Sequence, residues 1–153
     1  MRIQYFKNDQ IYPYLVSILD FLQTLPFLKD EIFQITDFYP TLSNPNLYPI
    51  YHHFILFLNP THHKDMKGFC TFIEHEKEIY IMVIGIHPSL SHLGNGSKMI
   101  EWIKYKNRKN KKKIRAQVST FNIHSISFFQ KHGFVIQPDS ICPDYYCLVY
   151  SYS

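Results

Sequence analysis

The 153-residue chain has little of what secreted, membrane-spanning and disordered proteins depend on. Its three cysteines, Cys70, Cys142 and Cys147, form an odd, sparse set with no Cys-x-x-Cys pair. Neither a disulfide framework nor a zinc knuckle is indicated, and buried free thiols are expected. Charged residues make up 18% and apolar residues 46%, too little charge and too much core material for a disordered chain. The longest apolar run, Ile79 to Ile86, falls far below the roughly 20 residues that a spanning helix needs, so no bilayer partner is expected. Lys7, Asp9, Pro13 and Asp20 interrupt the apolar stretch of a secretory signal, which makes the cytoplasm the expected location. There is no repeat and no Gly/Ser-rich or Pro-rich linker, so residues 1–153 read as one domain, long enough to bury roughly two-thirds of its unfolded surface.

The charge is uneven. Eight of the 16 basic residues lie between Lys104 and Arg115 with no acid among them, leaving eight against 12 acids elsewhere. The net charge of +4 is therefore one local feature. This run is either a solvated connector that complements a helix C-terminus or a patch for RNA or an acidic partner, with binding that weakens as salt rises. Ala116 is the only alanine, and lysine far outnumbers arginine, a bias that AT-rich coding produces without functional meaning.

The periodicities alternate between strand and helix. Arg2 to Lys7 predicts a strand, and Tyr14, Leu15, Ile18, Leu19, Leu22 and Leu25 recur at helical spacing. Phe27 to Phe38 predicts a second helix, and the Pro40 to Pro49 stretch a loop. Strands are expected at His53–Leu58, Gly68–Glu74 and Ile79–Ile86, the last apolar throughout as suits burial on both faces. A helix over Gly96–Lys106, a strand over Ile114–Ser119, a helix over His124–His132 and strands near Phe134–Gln137 and Tyr145–Tyr150 complete the order βααβββαβαββ. Gly133 sits where a left-handed helix cap is expected.

The chemistry concentrates where the apolar strand runs through His87-Pro88 and Ser91-His92-Leu93-Gly94-Asn95-Gly96-Ser97 into an amphipathic helix. Glycines at such a junction let backbone approach a ligand or take positive φ, and the helix start presents unpaired N–H groups with the positive end of the dipole. That is a phosphate cradle in outline; a lone Gly-x-Gly is equally an ordinary turn.

Ile86-His87-Pro88-Ser89-Leu90-Ser91-His92-Leu93-Gly94-Asn95-Gly96 resembles the Val-x-Pro-x-x-Arg/Gln-x-x-Gly-x-Gly/Ala motif of the GNAT superfamily of acyl-CoA-dependent N-acetyltransferases. Downstream, Asn122-Ile123-His124-Ser125-Ile126-Ser127-Phe128-Phe129-Gln130-Lys131-His132-Gly133-Phe134 resembles that family's Asn-x-x-Ala-x-x-Phe-Tyr-x-x-x-Gly-Phe. The resemblance spans residues 50–137 by motif and the remainder by element order. It implies an α/β (α+β) fold, a mixed and mostly antiparallel sheet flanked by helices. It also implies acetyl-CoA as co-substrate and an amine as acceptor, with no metal. Carried over by position, it puts Leu93, Gly94, Asn95, Gly96 and Ser97 at the coenzyme pyrophosphate, with Lys98 adding charge. Gly85 and Ile86 would pair with the pantetheine arm. Asn122 would face that arm or simply cap its helix, and Phe129 would stand near the thiol.

Two departures bear on mechanism. Ser91 replaces the family's Arg or Gln, and Phe129 replaces the Tyr that protonates the departing thiolate. Direct transfer needs a base for the ammonium proton and donors for the oxyanion. Glu78, acting through a water, is the candidate base; Tyr80 shares its face two residues on, and Tyr145, Tyr146 and Ser127 are candidate acids. Residues 12–40 and 137–146 would enclose the acceptor, with Phe27, Phe33, Phe38, Tyr39, Tyr145 and Tyr146 as lining or core. The acceptor is then a small amine or a peptide or protein N-terminus. The nine histidines do not suggest zinc, since neighbours on a strand point to opposite faces, though His92 could reach phosphate. A homodimer is compatible with this reading. The competing function is an acyl-CoA-binding or RNA-binding module on the same fold that has lost turnover.

Overall fold

The computed structural model describes residues 2–25, 51–59, 61–90, 93–138 and 144–153. The chain passes through β1 (Arg2–Lys7), a 3-10 segment (Asn8–Tyr14), α1 (Leu15–Leu22), β2 (Tyr51–Asn59), β3 (His62–Glu74) and β4 (Glu78–Ile86). A 3-10 turn (Pro88–Leu90), α2 (Asn95–Lys106), β5 (Lys113–Ser119), α3 (Ile123–Lys131), β6 (Val135–Ile136) and β7 (Tyr145–Tyr150) follow. The strands form one sheet in the order β1-β2-β3-β4-β5-β7-β6. Every neighbouring pair is antiparallel except β4 with β5. This is the mixed, mostly antiparallel sheet flanked by helices that the family resemblance implies. The expected helix Phe27–Phe38 and loop Pro40–Pro49 lie outside the described residues, as do Ser91, His92 and Cys142.

The two faces of the sheet bury separate cores. On one, Leu15, Ile18 and Leu22 of α1 follow a helical stripe and pack on Phe54, Leu56, Leu58 and Phe69. Ile11, fully buried, anchors the 3-10 segment to the same core. On the other, Met99, Ile100 and Ile103 of α2 and Phe129 of α3 cover Ile55, Phe57, Phe72, Ile79, Ile81 and Leu148. Because both faces are covered, β4 reads as apolar throughout, yet its burial alternates. The register slips where Thr71 pairs with Val83 and Phe72 with Ile81, which makes Met82 an extra residue in β4. That bulge reverses the parity: Ile79 and Ile81 face α2, Met82 and Val83 face α1, and Ile84 and Ile86 face α2 again.

Gly68 is required by close packing. A Cβ there would lie 2.8 Å from Ile86 Cδ1 and 2.9 Å from both Met99 Cε and Phe57 Cβ, so glycine lets α2 seat on the sheet. β3 begins at His62, six residues before the expected Gly68, because the hairpin continues through polar residues. Asn59 shapes its turn by accepting the Thr61 N–H at 3.0 Å and hydroxyl at 2.8 Å.

Candidate active site

β4 and β5 are paired only from Glu78↔Lys113 to Ile81↔Ala116. Beyond the bulge they part, and from Met82 to Ile86 the β5-facing backbone edge of β4 has no strand partner among the described residues. Gly85 and Ile86 keep β3 on their other side, opposite Phe69 and Gly68. A backbone edge left unpaired seeks hydrogen-bonding partners, so the opening offers donors and acceptors that a chain carrying amides can pair with.

The opening leads to the start of α2. Gly94 is its N-cap with φ +80°, ψ 10°, the left-handed region, and provides no capping side chain. The first bond back into the turn is Lys98 N–H to Gly94 O at 3.1 Å, so the amides of Asn95, Gly96 and Ser97 have no partner within the helix. No acidic residue occupies this turn, Lys98 is exposed, and no described residue lies within 4 Å of where a Gly94 side chain would stand. Dipole, free amides, cation and open space together fit a phosphate group. The start of α3 differs: Asn122 Oδ1 accepts the Ser125 N–H at 3.2 Å, so that helix caps itself.

Other residues of the loop support it. Leu93 is exposed, whereas Asn95 is buried and ties the helix to the preceding turn through Nδ2 to Leu90 O at 3.1 Å. Gly96 has ordinary φ; its Cβ would meet the Phe128 ring at 3.2 Å, so glycine there serves helix packing. Ser97 Oγ and His132 Nε2 are 2.8 Å apart, and His132 Nδ1 lies 3.3 Å from Glu101 Oε1. This hydroxyl–imidazole–carboxylate chain joins α2 to the end of α3 across 35 positions of sequence, and no local pattern signals it.

Phe129, the position where the family resemblance places a tyrosine, is a core residue. It is 2% exposed, edge-on to Phe134 at 5.0 Å, and belongs to the core rather than to an open surface. Glu78, Tyr80 and Tyr145 all lie on the sheet face turned toward α1, with Arg115 among them. Arg115 Nη2 is 3.2 Å from Glu78 Oε2, and its Nε is buried without a hydrogen-bond partner among the described residues. Glu78 stands four residues before the bulge, about 13 Å away at strand rise, Tyr80 about 7 Å. Tyr145 pairs with Ser119 at the far end of β5, beside the mouth of the opening, and is exposed, as are Tyr146 and Ser127. Phe27, Phe33, Phe38 and Tyr39 lie outside the described residues.

Much of the basic run is engaged within the chain. Lys104 Nζ donates to His132 O at 2.7 Å and lies 4.2 Å from the Tyr150 ring centroid. Lys112 pairs with Glu74 at 2.9 Å, Arg115 with Glu78, and Arg108 sits 3.7 Å from the Tyr105 ring centroid. Among the described residues no cluster of His, Cys, Asp and Glu could hold a metal, and no helix is long and apolar enough to cross a membrane.

No curated protein matches the chain by sequence. Solved structures share its fold across almost its whole length. PaiA N-acetyltransferase from Thermoplasma acidophilum, determined with coenzyme A, is 15% identical with a TM-score of 0.67, covering 99% of this chain and 100% of that one. The ribosomal-protein-S18-alanine N-acetyltransferase of Escherichia coli is 14% identical with a TM-score of 0.68, covering 99% and 95%. A GNAT-family acetyltransferase of Staphylococcus aureus is 15% identical with a TM-score of 0.68, covering 98% and 99%. The family model for acetyltransferases of the GNAT family matches residues 18–134, well over half of the 153. The chain belongs to the GNAT acetyltransferase family.

Proposed function

We propose that the chain is an N-acetyltransferase that moves the acetyl group of acetyl-CoA directly to an amine held on the α1-facing side of the sheet. The observation that carries this reading is the edge of β4, Met82–Ile86, which no described strand pairs, leading to a helix start with no side-chain cap and no described residue within 4 Å of a Gly94 Cβ. The pantetheine amides pair with that edge, and the pyrophosphate takes the amides of Asn95, Gly96 and Ser97 with Lys98 beside them. A neutral amine attacks the thioester carbon, the C–N bond forms and the C–S bond breaks. The ammonium proton leaves through water toward Glu78, and Tyr145, beside the mouth of the slot, protonates the thiolate in place of the hydroxyl that Phe129 lacks. The acceptor is a small amine or the N-terminus of a peptide; the S18-alanine enzyme among the structural neighbours makes an alanine N-terminus one member of the panel to test.

The test is release of the coenzyme thiol from acetyl-CoA across small aromatic amines and peptides differing in their first residue. Release with one of these classes is expected, together with loss of turnover in Glu78→Gln and weaker acetyl-CoA binding in Gly94→Asp. A second reading, a binding module that keeps acetyl-CoA without turning it over, draws on the buried Phe129. Tight acetyl-CoA binding with no thiol release from any amine would favour it. An RNA-binding role draws less support, because Lys104, Lys112 and Arg115 are committed to internal ion pairs.

A further inference from the structure

At the other end of α2, about 16 Å from the glycine loop along the helix axis, a cavity of about 210 Å³ opens between its C-terminal half and the sheet. Tyr5, Phe72 and Trp102 give it aromatic surface, and Ile79 and Ile103 add aliphatic surface. The Tyr5 and Trp102 ring centroids are 4.8 Å apart, and His53 stacks on Phe72 at 4.6 Å and 8°.

Its polar groups form a fixed chain. Tyr5 Oη hydrogen-bonds His53 Nδ1, His53 Nε2 lies 2.9 Å from Glu74 Oε1, and Lys112 Nζ lies 2.9 Å from Glu74 Oε2. Burial holds the pKa of the His53 imidazole below its ordinary value despite Glu74, so the ring is neutral. Burial alone would raise the Glu74 carboxyl, but Lys112 and His53 outweigh it and hold it low, so Glu74 is a carboxylate. Glu74 and Lys112 cancel. Lys106 then supplies the uncompensated charge: its ammonium lies 5.4 Å from the Trp102 ring centroid, with no carboxylate in ion-pair range among the described residues.

We propose that this cavity is a second ligand site, separate from the acyl-transfer slot, for a small aromatic carboxylate. The ring lies against Tyr5 and Trp102, the carboxylate meets Lys106, and the Asn110 amide lines the same cavity. An aromatic amine is disfavoured because the carboxylate that would attract it is already neutralised. The volume of about 210 Å³ leaves room for one ring with a short acid arm.

Trp102, the single tryptophan, reports occupancy. The full chain is titrated with phenylacetate, with phenethylamine (the same ring with opposite charge) and with acetate (the charge without the ring), following Trp102 emission and heat of binding. Phenylacetate is expected to bind saturably, with phenethylamine weaker by about tenfold or more for want of one charge-assisted contact, and acetate weaker for want of the ring. Lys106→Met should weaken phenylacetate by a similar factor, and Tyr5→Leu should weaken it through the ring. Circular dichroism confirms that both variants are folded. Phenylacetate binding should also survive saturation with acetyl-CoA. The proposal is overturned by absent saturation, by equal affinity for phenethylamine, by insensitivity to Lys106→Met, or by competition with acetyl-CoA. None of these outcomes depends on whether the chain turns over acetyl-CoA.

Discussion

Replacing Gly94 isolates a backbone cost from a packing cost. With φ +80° and no described residue within 4 Å of where a Cβ would stand, the position penalises an L side chain through its left-handed backbone rather than through packing against the described residues. That penalty is roughly 1–2 kcal/mol for alanine, less for asparagine, which tolerates this region, and more for a β-branched residue. At about 2.1 cal/mol/K per residue, a chain this long has an unfolding entropy near 0.32 kcal/mol/K, so Gly94→Ala should lower the melting temperature by about 3–6 °C. Gly94→Asn should lower it less, and Gly94→Val more. Gly96→Ala tests the other cause, since its Cβ would press on the Phe128 ring at 3.2 Å. Phe128→Leu in the same chain should recover that loss and leave the Gly94→Ala loss untouched. Thermal and urea unfolding without ligand measure each of these variants. An alanine at 94 as stable as glycine, or a valine as good as asparagine, would refute the left-handed cap.

Asn122→Ala should cost about 1 kcal/mol by uncapping α3, whereas Asn122→Asp keeps the bond to Ser125 N–H; urea midpoints distinguish the two. Gly68→Ala should cost about 1–3 kcal/mol, because a rigid Phe57 Cβ is among the atoms it would strike, and a denaturation midpoint within error of wild type would count against that packing. Acidification should destabilise the fold through His53 first. Its folded pKa lies below the ordinary 6.5, so its contribution is complete above 6.5 and is lost as pH falls through the folded value, at up to about 1.4 kcal/mol per pH unit. Glu74, held below 4.5, adds a loss at lower pH, and melting temperatures of His53→Leu should be flatter across the first window.

The sequence was most legible where a single local pattern determines the outcome. β1 and β7 have the expected bounds, and α2 begins one residue from its predicted start, because apolar alternation and a glycine junction act over a few residues. The 3-10 segment escaped because Ile11 is its one buried apolar anchor and Pro13 lies inside it. The bulge at Met82 escaped because an apolar strand covered on both faces has no parity to read. Gly85, Ile86 and the glycine loop were legible as a candidate coenzyme site through motif order, but the parting of β4 from β5 is a fact of pairing. The basic run was legible as charge and not as contacts, since Glu74, Glu78 and His132 come from elsewhere in the chain. The same distance hides Tyr5, His53, Glu74 and Lys112, which meet from four separate segments.

Hydrogen exchange with and without saturating acetyl-CoA tests the central claim most directly. The account predicts slowed exchange in two peptides, the β4 segment Met82–Ile86 and the α2 start Asn95–Ser97, with the Lys104–Arg115 run unchanged. Unchanged exchange in both segments, or protection confined to the basic run, would contradict it.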